Sequence, residues 1–219
     1  MVPCRLLFCG NEVAELKAAE LYKQWSAAVE SDWNRMGLQK LKGRSCKWFI
    51  DIGDSTLLLF VEMNSKYPWT VQGGGNFSIN AFVPEQKPVR PEDYVENIFD
   101  NVEFFSLWTE DLIERRHAAN RRVYEKIRSL DRTELYASMA EAYDCTPEQA
   151  ESLGLYETEL EIIAMDVEEP TDVLINPPLY FYDSRDVAAW SALVTDALGV
   201  VLPRIQESDW RTLRMGEPV

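Results

Sequence analysis

One histidine, His117, is all that the 219 residues contain. A zinc site built on several histidines or a repeated histidine relay is therefore excluded. The four cysteines, Cys4, Cys9, Cys46 and Cys145, form no Cys-x-x-Cys pair and suggest neither a metal knuckle nor a disulfide framework. Small buried hydrophobic residues describe them better, because free cysteine is among the most buried residue types. Long apolar runs are missing too. The longest, residues 57–61, falls far short of the roughly 20 residues a membrane helix needs, and residues 1–10 are too short for a signal peptide. These absences predict a cytoplasmic protein with no membrane partner.

Catalytic signatures are equally scarce. No Gly-x-Ser-x-Gly turn is present, and Gly73-Gly74-Gly75-Asn76 lacks the Lys-Ser/Thr of a phosphate-binding loop and precedes a strand pattern instead of a helix. His117, set among arginines on a helix, has no convergent nucleophile in sequence and is expected to be structural or exposed. No catalytic residue, metal ligand or cofactor is assigned.

What the chain does have is unevenly placed charge. Its net charge is −15. Residues 1–90 carry eleven Lys or Arg against nine Asp or Glu, whereas residues 91–219 carry eleven against twenty-eight. Arg115, Arg116, Arg121, Arg122, Lys126, Arg128 and Arg132 are followed by residues 134–183, which hold thirteen acids and no Lys or Arg. Such a field disfavours nucleic acid and favours a basic protein as partner.

Periodicity predicts an α+β fold in a single domain spanning residues 1–219, with a subdivision into 1–83 and 91–219 as the alternative. Residues 11–36 read as an amphipathic helix ended by Gly37, with Trp25, Trp33 and Met36 in the core or, alternatively, lining a pocket. Residues 46–52, 56–64 and 77–83 alternate as strands of a three-stranded antiparallel meander covered on one face by that helix. The proline-rich stretch 84–91 reads as a crossing or linker, and a short helix is expected from Pro91 through Phe99. A basic helix capped by Thr109 should bury Leu112, Ala119, Val123, Ile127 and Leu130. Thr133 and Thr146 look like caps of two further helices, the second ending near Gly154. Residues 155–163 fit a strand or a helix. An acidic loop over 168–178, a short aromatic strand at 179–182 and a last helix from Asp183 or Ser184 follow, with Pro203 kinking or ending that helix.

The clustered charges supply the candidate site. Arg122 with Lys126, and Arg128 with Arg132, are like-charged pairs four apart, so an anion should lie opposite. The acidic segment that follows is the nearest one; a phosphate-bearing ligand held by Arg115, Arg122 and Lys126 is the alternative. Glu157, Glu159 and Glu161, aligned on a strand face, could hold a divalent ion, as could Asp166, Glu168, Glu169 and Asp172, although no EF-hand spacing is present. A solvated or partner-binding face is the simpler reading. In size, acidity and helix-plus-meander layout the chain resembles small bacterial immunity or antitoxin proteins. That resemblance implies a non-enzymatic factor in which Glu157, Glu159, Glu161, Glu168, Glu169 and Asp172 meet a basic partner. The alternatives are a divalent-metal-dependent enzyme and an oligomeric component whose charge blocks pair between subunits.

Overall fold

The computed structural model describes residues 18–42, 46–64, 75–84, 99–102, 104–168 and 179–207. Helix α1 (Ala18–Arg35) ends as its sequence predicts. Gly37 has φ +93°, and the Leu38 N–H reaches the Trp33 carbonyl while the Gly37 N–H reaches that of Asn34. This is the Schellman arrangement, in which a left-handed residue lets two N–H groups fold back on the last turn.

The sheet is antiparallel, as expected, but larger than the expected meander. Strands β1 (Gln39–Lys40), β2 (Cys46–Ile52), β3 (Ser55–Asn64), β4 (Gly75–Pro84) and β5 (Phe99–Val102) follow one another in space. A two-residue loop, Gly53-Asp54, joins β2 to β3. Only its first position has positive φ, the pattern of a type II′ hairpin. Strand β6 (Leu179–Phe181) returns from the second half of the chain to pair with residues 75–77 of β4, leaving residues 81–84 to β5. Residues from both sides of the 84–91 stretch therefore build one sheet. Phe99 opens a strand and does not close a helix; residues 91–98 lie outside the described residues.

Register puts Trp48, Leu59 and Ala81 in one row and Cys46, Val61 and Ile79 in the next, all facing the same side. Against that face pack α1 and the last helix, α6 (Ser184–Glu207). Trp25, Trp33, Trp48 and Trp190 are fully buried there and belong to the core. Trp25 meets Phe77 edge-on at 5.0 Å, Trp33 meets Trp48 at 5.1 Å, and the Trp33 Nε1–H donates to Thr195 Oγ1 at 2.9 Å. Burying each such ring stabilises the fold by roughly 1.5–3 kcal/mol. Cys46 is buried in this core, where desolvation pushes its thiol pKa up.

The remaining helices are α2 (Glu110–Arg128), α3 (Arg132–Ala142), α4 (Pro147–Ser152) and α5 (Leu155–Glu168). Leu112, Val123 and Ile127 of α2 are buried as expected, together with Arg116, Asn120 and Tyr124, which the apolar pattern missed. Thr109 is the cap position of α2, although its side chain accepts no capping bond. For α3 the cap is Asp131 and not Thr133: the Asp131 carboxylate accepts the N–H groups of Thr133 and Glu134. Thr146 and Gln149 make a reciprocal capping box at α4, and Gly154, φ +61°, follows its end. The ambiguous stretch from Leu155 is helical because Tyr156, Ile163 and Val167 bury together against α2 and α3, so tertiary packing overrides the local alternation. Pro203 sits inside α6 and does not end it. The ring faces solvent, and burial of Ile205 beyond it holds the following turn in place despite the missing N–H.

Candidate functional site

The basic helix finds its anions in α6 and just before it. Arg122 Nη2 lies 2.6 Å from Asp186 Oδ1, Lys126 Nζ 2.7 Å from Asp183 Oδ2, and Arg115 Nη2 2.6 Å from Asp196 Oδ2. The segment directly after the helix contributes less than its charge suggests: Asp183 at its far end, and Glu157, 3.7 Å from Arg132. The reason is geometric, since α2 lies beside the start of α6 while the intervening acids are carried away on α3 to α5. The like-charged pair Arg122 and Lys126 is thereby neutralised by two aspartates three residues apart. Arg115, Arg122 and Lys126 each thus face a carboxylate of the chain itself.

Asp183 and Asp186 also organise the helix they begin. The Asp183 carboxylate accepts the Arg185 N–H, and Asp186 Oδ2 accepts the N–H groups of Asp183 and Tyr182. This reciprocal box satisfies donors that a helix start otherwise leaves unpaired. Arg185 first, and Lys126 after it, hold the Asp183 carboxyl well below the usual carboxylate range, against the opposing effect of partial burial. Lys126 Nζ further sits 4.0 Å from the centre of the Tyr182 ring. Nearby, Asn120 Oδ1 accepts the Tyr180 N–H at 3.0 Å, and Trp190 Nε1 donates to the Tyr180 carbonyl at 2.6 Å. These two side chains occupy the outer edge of β6, where another strand would otherwise pair.

The acidic residues divide into several groups. Glu157 is engaged: both its oxygens accept the Tyr136 hydroxyl, at 2.8 and 2.9 Å, beside Arg132. Burial first, and this carboxylate second, push the Tyr136 pKa up to about 12. Glu159, Glu161 and Glu168 lie on the same helix, α5, so the three-carboxylate strand face does not exist. Glu157 and Glu161, four apart, share a side of that helix. Glu169 and Asp172 lie outside the described residues. Among the described residues no group of three or more His, Cys, Asp or Glu is placed to hold a metal ion.

On α3 to α5 and their turns, Glu134, Asp144, Glu148, Glu151 and Glu161 are exposed and make no ion pair among the described residues, a condition that Glu30, Glu62, Glu110, Glu114, Glu125 and Glu207 share elsewhere. Glu148 takes hydrogen bonds from its own backbone and from Thr146, which draw its pKa down and keep it charged. The chain matches no protein-family model, no curated protein and no solved structure. The surface must be read from its own geometry.

Two features of that surface escape sequence periodicity. Tyr143 and Leu153, 47% and 65% exposed, are the large hydrophobic side chains left in solvent among the described residues. They flank α4, whose six residues rise about 9 Å. Asp144 has φ +52°, and the Cys145 N–H folds back to the Ala140 carbonyl, so an aspartate occupies the left-handed position where glycine is favoured. A carboxylate there also faces the negative end of the α3 dipole. Stability alone would select another residue. Elsewhere, Lys47 is buried on the sheet with its ammonium 5.0 Å from the Phe60 ring centre, and desolvation lowers its pKa.

The one helix among the described residues that is long and apolar enough to cross a membrane is α6. Its apolar residues, from Val187 to Ile205, are buried against α1 and the sheet.

Proposed function

We propose that this chain is a non-enzymatic, cytoplasmic binding protein of the immunity or antitoxin type that neutralises a basic protein partner through α3 to α5. One observation carries the reading. The acids of this segment that make no ion pair among the described residues are grouped in sequence around Tyr143 and Leu153, the exposed large hydrophobic side chains among those residues. An apolar anchor with a charged rim is the composition by which interfaces combine affinity with partner choice. Of the six acids first given this role, Glu161 keeps it and Glu157 is engaged by Tyr136, while Glu134, Asp144, Glu148 and Glu151 are added to it.

The test is affinity capture of basic polypeptides from the source organism's extract on the immobilised wild-type chain and on a variant carrying E148Q, E151Q and L153S. Wild type should retain a basic polypeptide that the variant loses. Raising ionic strength from about 0.01 M to about 1 M, which shortens the screening length from ~30 Å to ~3 Å, should release it. Retention that ignores both salt and substitution refutes the reading. So does failure to retain any basic polypeptide at low salt. A D144G variant adds an independent measurement: it should raise stability by about 1 kcal/mol while weakening capture, because the strained carboxylate serves the partner and not the fold.

A further inference from the structure

The buried apolar residues fall into two clusters that share no member. The first fills the space between the sheet, α1 and α6. The second is built from Leu135, Tyr136, Met139, Ala140, Ala150, Tyr156, Ile163 and Val167 of residues 129–168, set against Val123, Tyr124 and Ile127 of α2 and against Tyr180 and Tyr182. Strand alternation explains the division at β6: Leu179 and Phe181 point into the first cluster, Tyr180 into the second. Helices α3, α4 and α5 pack chiefly on one another and on α2.

The polar groups respect the same boundary. Lys126 with Asp183, Arg122 with Asp186 and Asn120 with Tyr180 all lie on the sheet side. Arg132 with Glu157 and Tyr136 with Glu157 lie within residues 129–168. A hydrogen bond from Tyr156 Oη to the Ile127 carbonyl, 3.2 Å, joins the two sides, and at the hinge Ser129 and Leu130 bond to carbonyls of the last turn of α2. Among the ion pairs of the described residues none crosses the division, and because residues 129–168 are continuous the segment can leave without unthreading another. Fewer apolar side chains are uncovered than in global unfolding, so parting demands less free energy.

We propose that residues 129–168 form a cap that opens as one cooperative unit from a sheet body that stays folded, uncovering the apolar strip Val123, Tyr124, Ile127, Tyr180 and Tyr182. This stands on the packing and does not depend on the identity of any partner. Native-state hydrogen exchange by mass spectrometry on the full chain, in rising sub-denaturing urea, reads it directly. Amides of α3, α4 and α5 should converge on one opening free energy below that of β2, β3, β4 and α6. The conservative variant I163V, in the cap, should speed cap exchange by roughly two- to tenfold and body exchange by a similar factor, because global unfolding includes the cap; I205V, in the body, should speed body exchange and leave the cap unchanged. A single opening free energy for cap and body overturns the proposal. Separate, unlinked values for α3, α4 and α5 overturn it, as does acceleration of the cap by I205V equal to that of the body.

Discussion

Replacing Asp186 by alanine removes three interactions made by one buried carboxylate: the N–H groups of Tyr182 at 2.9 Å and Asp183 at 3.2 Å, and Arg122 at 2.6 Å. The Tyr182 N–H is buried, and leaving a buried donor unpaired costs about 1–3 kcal/mol. The Asp183 N–H is only partly buried and recovers water, so about 1 kcal/mol is assigned to it, in line with loss of a helix cap. The guanidinium of Arg122 is 56% exposed, so the ion pair itself contributes about 1 kcal/mol or less. The sum is a loss of about 2–5 kcal/mol. For a chain of this size that lowers Tm by roughly 4–20 °C, at about 2–4 °C per kcal/mol. Asp186→Asn keeps an oxygen that can accept both N–H groups and loses only the charge, so it should cost about 1 kcal/mol. Arg122→Ala should cost about as little, because water can reach the oxygen it leaves. Urea denaturation of the three variants, with unchanged m-value as the check that compactness is preserved, measures the series. Equal losses for Asp186→Ala and Arg122→Ala would refute the reasoning, since the charge pair and not the helix start would then be the stabilising feature.

Two pH dependences follow from the same geometry. The Asp183 pKa is depressed in the folded chain, so its contribution is present above the unfolded value near pH 3.8 and is lost as pH falls toward the folded one. Asp183→Asn should therefore flatten the acid limb of the stability profile below about pH 4 while leaving the helix start capped. Tyr136 has the opposite sign. Its folded pKa of about 12 exceeds the unfolded 10.0, so stability is full below pH 10 and is lost as pH rises from 10 toward 12. Tyr136→Phe should remove that alkaline loss, measured as unfolding free energy at stepped pH; an unchanged alkaline limb would show that Tyr136 titrates normally.

Much of the scaffold was legible because its signals are local. The Gly37 stop, the hairpin at Gly53-Asp54, the Thr146-Pro147 helix start and the buried stripe of α6 each depend on residues within a turn or two of one another. The misreadings arose where distant residues decide. Phe99, expected to close a helix, is drawn onto β4 by pairing that no local pattern encodes, and the stretch from Leu155, open between strand and helix, coils because Tyr156, Ile163 and Val167 find a shared apolar neighbour; the strand at 179–181 is legible in its own aromatic pattern. The helix runs past Pro203 because Ile205 is buried in the core.

The charges divide in the same way. Sequence alone determined that a basic helix precedes an acidic stretch, that like-charged neighbours on that helix require anions, and that the second half of the chain carries the excess of acid. Only the tertiary structure decided which acids answer which cations. Asp183, Asp186 and Asp196 lie 57 to 81 residues beyond their partners and reach them because α6 comes to rest beside α2. A carboxylate's pairing depends on where packing brings its backbone to within a few ångströms of a cation, and that distance is a property of the folded chain.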